Sequence, residues 1–229
     1  MILISDSHVS MAHNNHDAFF QMLSMLEKRD ESLVFLGDIF DLWISLPRYE
    51  EPIQKQFLQW CSRLKASGRT IGFIEGNHEF FMVERNKSSF SWSSTREHRD
   101  GHTLFVHGDL INSRDKNYLR FRKITKNPIT KTLVRYMPMG AALAHKVKND
   151  LKKTNQAFRI GLPQDALECY ARDMFQLGVR HILVGHFHQS FRYDGGEKRF
   201  LQILPDWYAT GMVSFYDGEE VQSVHWKTL

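Results

Sequence analysis

Apolar residues along this chain fall into two alternating kinds of run. Short blocks rich in branched side chains read as strands buried on both faces: "ILIS" at 2–5, "LVFLG" at 33–37, "TIGFIEG" at 70–76, "TLFVHG" at 103–108 and "HILVGH" at 181–186. Between several of them the spacing lengthens to that of a helix. Phe19, Met22, Leu23 and Leu26 recur ahead of Lys28 and Arg29, and Ile53, Phe57, Trp60 and Leu64 ahead of Gly68. Asp165 to Leu177 is a third helical stretch, opened near Pro163 and closed by Gly178. This alternation predicts a layered α/β domain. Towards the end, "RFLQIL", "GMVSFYDG" and "EVQSVHW" alternate around a turn at Asp217 and Gly218, which predicts an antiparallel hairpin or meander.

Segment 114–159 breaks the pattern. Tyr118, Phe121, Ile129, Leu133, Val134, Met137, Met139, Leu143 and Val147 are mixed there with basic residues at loose helical spacing, broken at Pro128 and Pro138. The expectation is a helical insertion or cap within one domain spanning 1–229, since no repeat or linker marks a second unit. Charge sets the same segment apart. Between Arg114 and Arg159 there are 13 Lys or Arg against Asp115 and Asp150, so the segment carries +11 while the rest of the chain carries −7 of the overall +4. An acidic body with a basic attachment suggests an anionic partner: nucleic acid, phospholipid headgroups or a phosphorylated substrate.

A chain of 229 residues can bury a sizeable core without staples. Cys61 and Cys169 lie far apart in helical patterns, which predicts no structural disulfide and a reducing compartment. The opening "MILIS" has no basic n-region or cleavage site, and no run reaches about 18 apolar residues, so the expected location is the cytosol or the surface of a membrane.

Candidate chemistry sits directly after each predicted strand, where open α/β sheets bind ligands. Asp6 and His8 follow the first, Asp38 and Asp41 the second, and Asn77, His78 and Glu79 the third; His107 and Asp109 follow the fourth, His186 and His188 the fifth. Singly, each has an ordinary explanation, as a turn acid or a satisfied histidine. Five in order, with the alternation of GHxH turning both imidazoles to one face of an extended chain, point to a metal centre. Carboxylate, imidazole and amide oxygen without thiolate suit Mn²⁺ first, with Fe²⁺ or Zn²⁺ also compatible. Asp6, His8, Asp38, Asn77, His107, His186 and His188 are too many ligands for one ion and enough for two if Asp38 bridges. Two such ions roughly 3.5 to 4 Å apart form a clamp for phosphoester hydrolysis.

The order Asp6-x-His8, Gly37-Asp38, Gly76-Asn77-His78-Glu79, His107-Gly108-Asp109, Gly185-His186-x-His188 resembles the calcineurin-like metallophosphoesterases over nearly the whole chain. The resemblance implies a four-layer α/β/β/α sandwich with a helical insertion cap. It assigns Asp6, His8, Asp38 and His188 to one ion and Asp38, Asn77, His107 and His186 to the other. By the same resemblance Asp38 and His78 serve catalysis, His78 by stabilising the transition state or protonating the leaving group, with Glu79 orienting His78 or lying solvated in the turn.

Three stretches, "GDIFDLWI", "HGDLINSRDKNYLRFR" and "LPDWYATGMVSF", are similar to a narrower family, the UDP-2,3-diacylglucosamine diphosphatases of lipid A synthesis. That similarity implies an acylated sugar-nucleotide substrate, contacts from Asp115, Tyr118, Arg122, Lys152 and Asn155 besides Asn77 and His186, and an acyl-chain cap in 114–159. It also implies a peripheral position on the anionic inner face of the cytoplasmic membrane, with no nucleic acid as partner. Members of that family carry Arg where this chain has His78, which keeps a soluble phosphodiesterase or nucleotide pyrophosphatase as the alternative.

Overall fold

A computed structural model describes residues 1–137 and 161–229. The predicted strands are present with slightly shorter bounds, as β1 (Ile2–Ile4), β2 (Leu33–Phe35), β4 (Ile71–Ile74), β8 (Thr103–Val106) and β9 (His181–Val184). Between these lie β3 (Trp43–Ile44), β5 (Glu79–Phe80), β6 (Trp92–Ser94) and β7 (Glu97–Asp100); after them come β10 (Phe191–Gly196), β11 (Arg199–Ile203), β12 (Met212–Tyr216) and β13 (Val221–His225). One sheet runs β13-β12-β1-β2-β4-β6 and a second runs β10-β11-β9-β8-β7, with β3 and β5 paired apart. Neighbours β1, β2, β4 and β6 are parallel, as are β8, β9 and β11. The expected terminal hairpin is β12–β13 around Asp217 and Gly218, but "RFLQIL" is not part of it: β11 joins the second sheet, parallel to β9.

Period-two alternation sorts the side chains into layers. Ile2, Ile4, Leu33, Phe35, Ile71 and Phe73 pack against α1 (His16–Leu26) and α2 (Pro52–Ala66) through Phe19, Met22, Phe57 and Trp60. The short α3 (Met82–Asn86) adds Met82 and Val83 to the same core. Across the sheet, Leu3, Val34 and Ile74 face the other way and meet Phe105, Leu183 and Phe200 of the second sheet. The outer face of that sheet, through Leu104, Val106, Ile182 and Val184, receives Leu167, Ala171 and Phe175 of α6 (Gln164–Gln176). Four layers result, as expected. Tyr216 of β12 pins the two sheets together with its hydroxyl, 2.7 Å from Thr103 Oγ1 and 2.6 Å from His181 Nδ1.

The described part of segment 114–159 begins with α4 (Lys116–Thr125), capped by Asp115, whose carboxylate accepts from the Tyr118 N–H at 2.9 Å. Next comes α5 (Pro128–Tyr136), so the helical run is broken at Pro128 as expected, and Pro128 is the first residue of the following helix; Asn127 caps it, accepting from Thr130 N–H at 2.9 Å. Lys126 Nζ ties this pair to the body, 3.1 Å from Glu75 Oε1 and 2.5 Å from the Gly76 carbonyl. Among the described residues no helix is long and apolar enough to cross a membrane. Cys61 is buried in α2 and Cys169 is exposed on α6, both free.

Glu79 locks the ends of β2 and β4 together. It is fully buried and accepts three backbone N–H bonds, from Asp38 at 2.8 Å, Ile39 at 2.7 Å and Gly76 at 2.8 Å. The expectation of a solvated turn residue does not hold, since Glu79 is buried and its carboxylate holds the backbone of the strand tips. The tips approach so closely that a Cβ on Gly37 would stand 2.7 Å from Gly76 N, and one on Gly76 2.3 Å from Asp38 Oδ1. Glu79→Ala strands three buried donors at about 1 to 3 kcal/mol each. The metal-free variant is therefore expected to melt roughly 10 °C or more below the parent in a calorimetric scan, with Glu79→Gln in between. Co-melting of Glu79→Ala with the parent would show that the glycine-rich tips hold themselves.

Candidate metal centre

At three of the five strand ends expected to carry ligands, after β1, β2 and β9, the ligand residues themselves turn through left-handed backbone. Five of the nine non-glycine residues with positive φ among the described residues are candidate ligands: Asp6 (51°), His8 (41°), Asp38 (53°), His186 (71°) and His188 (52°). Asp and His tolerate this region better than most residues, yet such strain costs on the order of 1 kcal/mol or more and concentrates where function needs it. The expectation for GHxH is corrected here. The chain after Val184 is not extended, and the two imidazoles diverge: His186 joins Asp38 and His107, while His188 joins Asp6 and His8.

Three sets of ligand atoms converge, each within 4.8 Å: Asp6, His8 and His188; His8, Asp38 and His78; Asp38, His107 and His186. Asp38 lies in the centre. At one end His8 Nε2 is 3.3 Å from His188 Nε2, which is 3.6 Å from Asp6 Oδ1. At the other, His107 Nε2 lies 3.0 Å from Asn77 Oδ1 and 3.5 Å from Asp38 Oδ2. All seven expected ligands are thus brought to one rim drawn from both sheets.

Hydrogen bonds behind the ligands fix which atoms face inward. His107 Nδ1 donates to the Leu36 carbonyl at 2.7 Å, and His188 Nδ1 faces Asp206 Oδ1 at 3.5 Å, so both present Nε2 to the rim. Asp6 Oδ2 accepts from the Ser5 hydroxyl and from His186 N–H, the latter at 2.8 Å. Its Oδ1 is buried with no hydrogen-bond partner among the described residues.

Protonation follows from this crowding. Burial, then His78, pushes His8 down to about 3, and burial, then His107, does the same to His186, so both offer lone pairs at neutral pH. Burial opposes a charge on His107, but Asp38 and then Asp6 overcome it and raise it to about 10. Asp38 is held well below the carboxylate range, because His78 and His107 outweigh the burial that would raise it. A proton on His107 Nε2 therefore occupies the gap between Asn77 Oδ1 and Asp38 Oδ2. A divalent cation fits the same gap, and a second one among Asp6, His8 and His188 would satisfy Asp6 Oδ1; the donor sets suit both.

His78 is buried beside the ligands. Its N–H donates to Asp38 Oδ1 at 2.8 Å, its Nδ1 to the Asp41 carbonyl at 2.6 Å, and its Nε2 stands 3.9 Å from Asp38 Oδ2. Tyr118 and Arg122 converge on buried Asp109: the tyrosine hydroxyl and Arg122 Nε both bond Oδ2, the latter at 2.7 Å. Arg122 outweighs burial in holding the Asp109 carboxyl below its usual range. Asp115 has its helix cap, while Lys152 and Asn155 lie outside the described residues. Sequence reasoning missed Asp206. Asp206 was legible as the cap of α7 (Trp207–Thr210), accepting from Ala209 N–H at 2.7 Å, but its approach to His188 depends on the packing of separate loops.

The family profile of the calcineurin-like phosphoesterases matches residues 1–190. A UDP-2,3-diacylglucosamine hydrolase of Pseudomonas syringae pv. syringae is 28% identical over 224 residues, covering 93% of this chain and 90% of that protein. One from Pseudomonas putida strain F1 is 27% identical, with 97% of each chain covered. Among solved structures, a dimetal phosphatase from Danio rerio aligns at 13% identity and TM-score 0.43, covering 98% of each chain. The chain belongs to the calcineurin-like phosphoesterase family, and is a metal-dependent phosphoester hydrolase.

Proposed function

We propose that this enzyme hydrolyses the pyrophosphate of UDP-2,3-diacylglucosamine to UMP and 2,3-diacylglucosamine 1-phosphate, a step of lipid A synthesis. The single observation that carries the hydrolytic reading is the convergence of seven candidate ligands on buried Asp38. In this reading Asp6, His8, Asp38 and His188 hold one divalent ion and Asp38, Asn77, His107 and His186 the other. Both ions, Mn²⁺ by preference, supply an activated water and neutralise phosphate charge when bound.

The remaining steps fall to the chain's own groups. With Nδ1 donating to the Asp41 carbonyl, any second proton on His78 sits on Nε2, the nitrogen turned towards Asp38. There it donates to a phosphate oxygen or to the oxygen that leaves. Water adds at the α-phosphorus, the bond to the bridging oxygen breaks, and the departing sugar phosphate takes that oxygen. Asn77 and His186 face the phosphate beside the ions. Tyr118 and Arg122, held by Asp109, form the wall under α4 next to the sugar, with Asp115 at the helix start; Lys152 and Asn155 belong to the same contact set.

For the substrate, the names of the relatives and the surface of the insertion agree. Phe121, Ile124, Ile129, Leu133, Tyr136 and Met137 are exposed on or just beyond α4 and α5, among the basic residues that single out this segment. Apolar side chains suit acyl chains, and Lys or Arg near an anionic bilayer contribute about 1 kcal/mol each, which supports a peripheral position on the inner face of the membrane.

Three outcomes are expected. Purified protein with Mn²⁺ releases UMP from UDP-2,3-diacylglucosamine; hydrolysis of a simple aryl phosphodiester without UMP release would instead favour the phosphodiesterase or nucleotide pyrophosphatase alternative. Asp38→Ala loses both ions by metal analysis, and its turnover falls by a factor on the order of 10³ or more, as expected when shared electrostatic stabilisation is removed. His78→Ala keeps both ions while turnover drops about 10² to 10⁴-fold, the range for one lost proton donor. Loss of metal in His78→Ala would make it a ligand and overturn its assigned role.

A further inference from the structure

The metal cleft has two ends, and the sheet orders separate them. α4 and α5 stand over the tips of β4, β5 and β8: Lys126 reaches Gly76, Arg122 reaches Asp109, and Lys126 lies over the Phe80 ring. At the opposite end are β1 and β11, followed by the loop that carries His8 and by α7, which carries Tyr208. Here Tyr208 is 46% exposed, yet its backbone is fixed: its N–H donates to the Asp6 carbonyl at 3.1 Å, and the Trp207 N–H to the Ser5 carbonyl at 2.9 Å. The ring meets His13 edge to face at 5.0 Å and His8 at 6.0 Å, and the hydroxyl is 3.3 Å from His13 Nδ1.

His13 is held as firmly. It closes a single helical turn at Met11–His13, where its N–H donates to Ser10 Oγ at 3.2 Å, and its Nε2 faces Asp41 Oδ2 at 3.4 Å. Asn15 braces the same turn, accepting from Ser10 N–H at 3.0 Å and donating to the Ser7 carbonyl at 3.3 Å. An exposed tyrosine braced by a half-buried histidine, with a polar edge and one ring away from a metal ligand, is a surface for a planar heteroaromatic group attached to the phosphate bound there.

We propose that Tyr208 and His13 form the stacking platform for the nucleobase of a nucleoside-diphosphate substrate, at the end of the cleft opposite α4 and α5. The inference deepens the reading of the substrate as a UDP-sugar, on which it rests. A pyrophosphate centred on the ions sends its two arms in opposite directions. With the apolar side chains gathered on α4 and α5, the nucleoside arm falls to Tyr208. Stacking recognises a ring face more than its edge pattern, so the platform selects for a base over none and only weakly among bases.

The test is calorimetric titration of the metal-loaded protein with UMP and with ribose 5-phosphate. UMP is expected to bind about tenfold more tightly, in line with one stacked base. Tyr208→Ala should bring the two affinities together, and Tyr208→Phe, which keeps the ring, should restore the gap. Equal affinities in the parent protein would overturn the inference, as would a gap that survives Tyr208→Ala. Absence of UMP release from the diacylated substrate bears on the lipid reading separately: a gap that still depends on Tyr208 would leave the nucleobase platform standing with a different nucleotide conjugate as substrate.

Discussion

A carboxylate removed from water needs compensating charge or hydrogen bonds, and the middle of this molecule buries Asp6, Asp38 and Glu79 within one small volume. Each is compensated differently. Glu79 is saturated by three backbone donors from the strand tips, Asp38 leans on His78 and His107, and Asp6 keeps one oxygen that accepts no hydrogen bond among the described residues and has only His188 Nε2 at 3.6 Å facing it. This arrangement is poised for cations: the protein completes the coordination of the backbone and leaves the charge of the rim unfinished. The left-handed turns at Asp6, His8, Asp38, His186 and His188 are the conformational cost of aiming so many groups at one place.

Around that rim the fold is asymmetric. The side of β4 and β8 carries a basic and apolar pair of helices, tethered through Lys126 to the carbonyl of Gly76, next to the candidate ligand Asn77. The side of β1 and β11 carries polar and aromatic segments tied to Ser5 and Asp6 by backbone bonds and to the Ser7 carbonyl by the Asn15 side chain. Two kinds of chemistry therefore flank one reactive centre, which suits a substrate whose halves differ as much as a lipid and a nucleotide.

Much of this was legible in the sequence, for physical reasons. Strands buried on both faces leave continuous apolar runs, and ligands at their carboxyl ends leave polar residues directly after each run, so Asp6, Asp38, Asn77, His107 and His186 could be placed on one rim from pattern alone. Short edge elements escaped. The strands β6 and β7 carry Trp92, Ser93 and Ser94 or Glu97 to Asp100, with no hydrophobic period to announce them, and β10 offers only Phe191 and Tyr193 on its half-buried face. The chain beyond Val184 reads as extended in sequence, because local pattern cannot show that two packed sheets force His186 and His188 apart. Glu79, likewise, looks like a turn residue in sequence, and only the approach of Asp38 from 41 positions away reveals its task. Roles that depend on such long-range meetings, Asp206 behind His188 among them, leave no local trace.

The Asp6 and His188 side chains that meet across the rim are separated by nearly the whole chain, and the ligands come from both sheets. Neither sheet alone holds a complete set. The centre is complete only when the sheets have closed on Leu3, Phe105 and Leu183, and contacts of such high sequence separation form slowly relative to local helices. Cations held there would bind the native state alone and resist the parting of the sheets, so the catalytic centre would act as the clasp of the sandwich and its occupancy would govern how long the native molecule survives before opening.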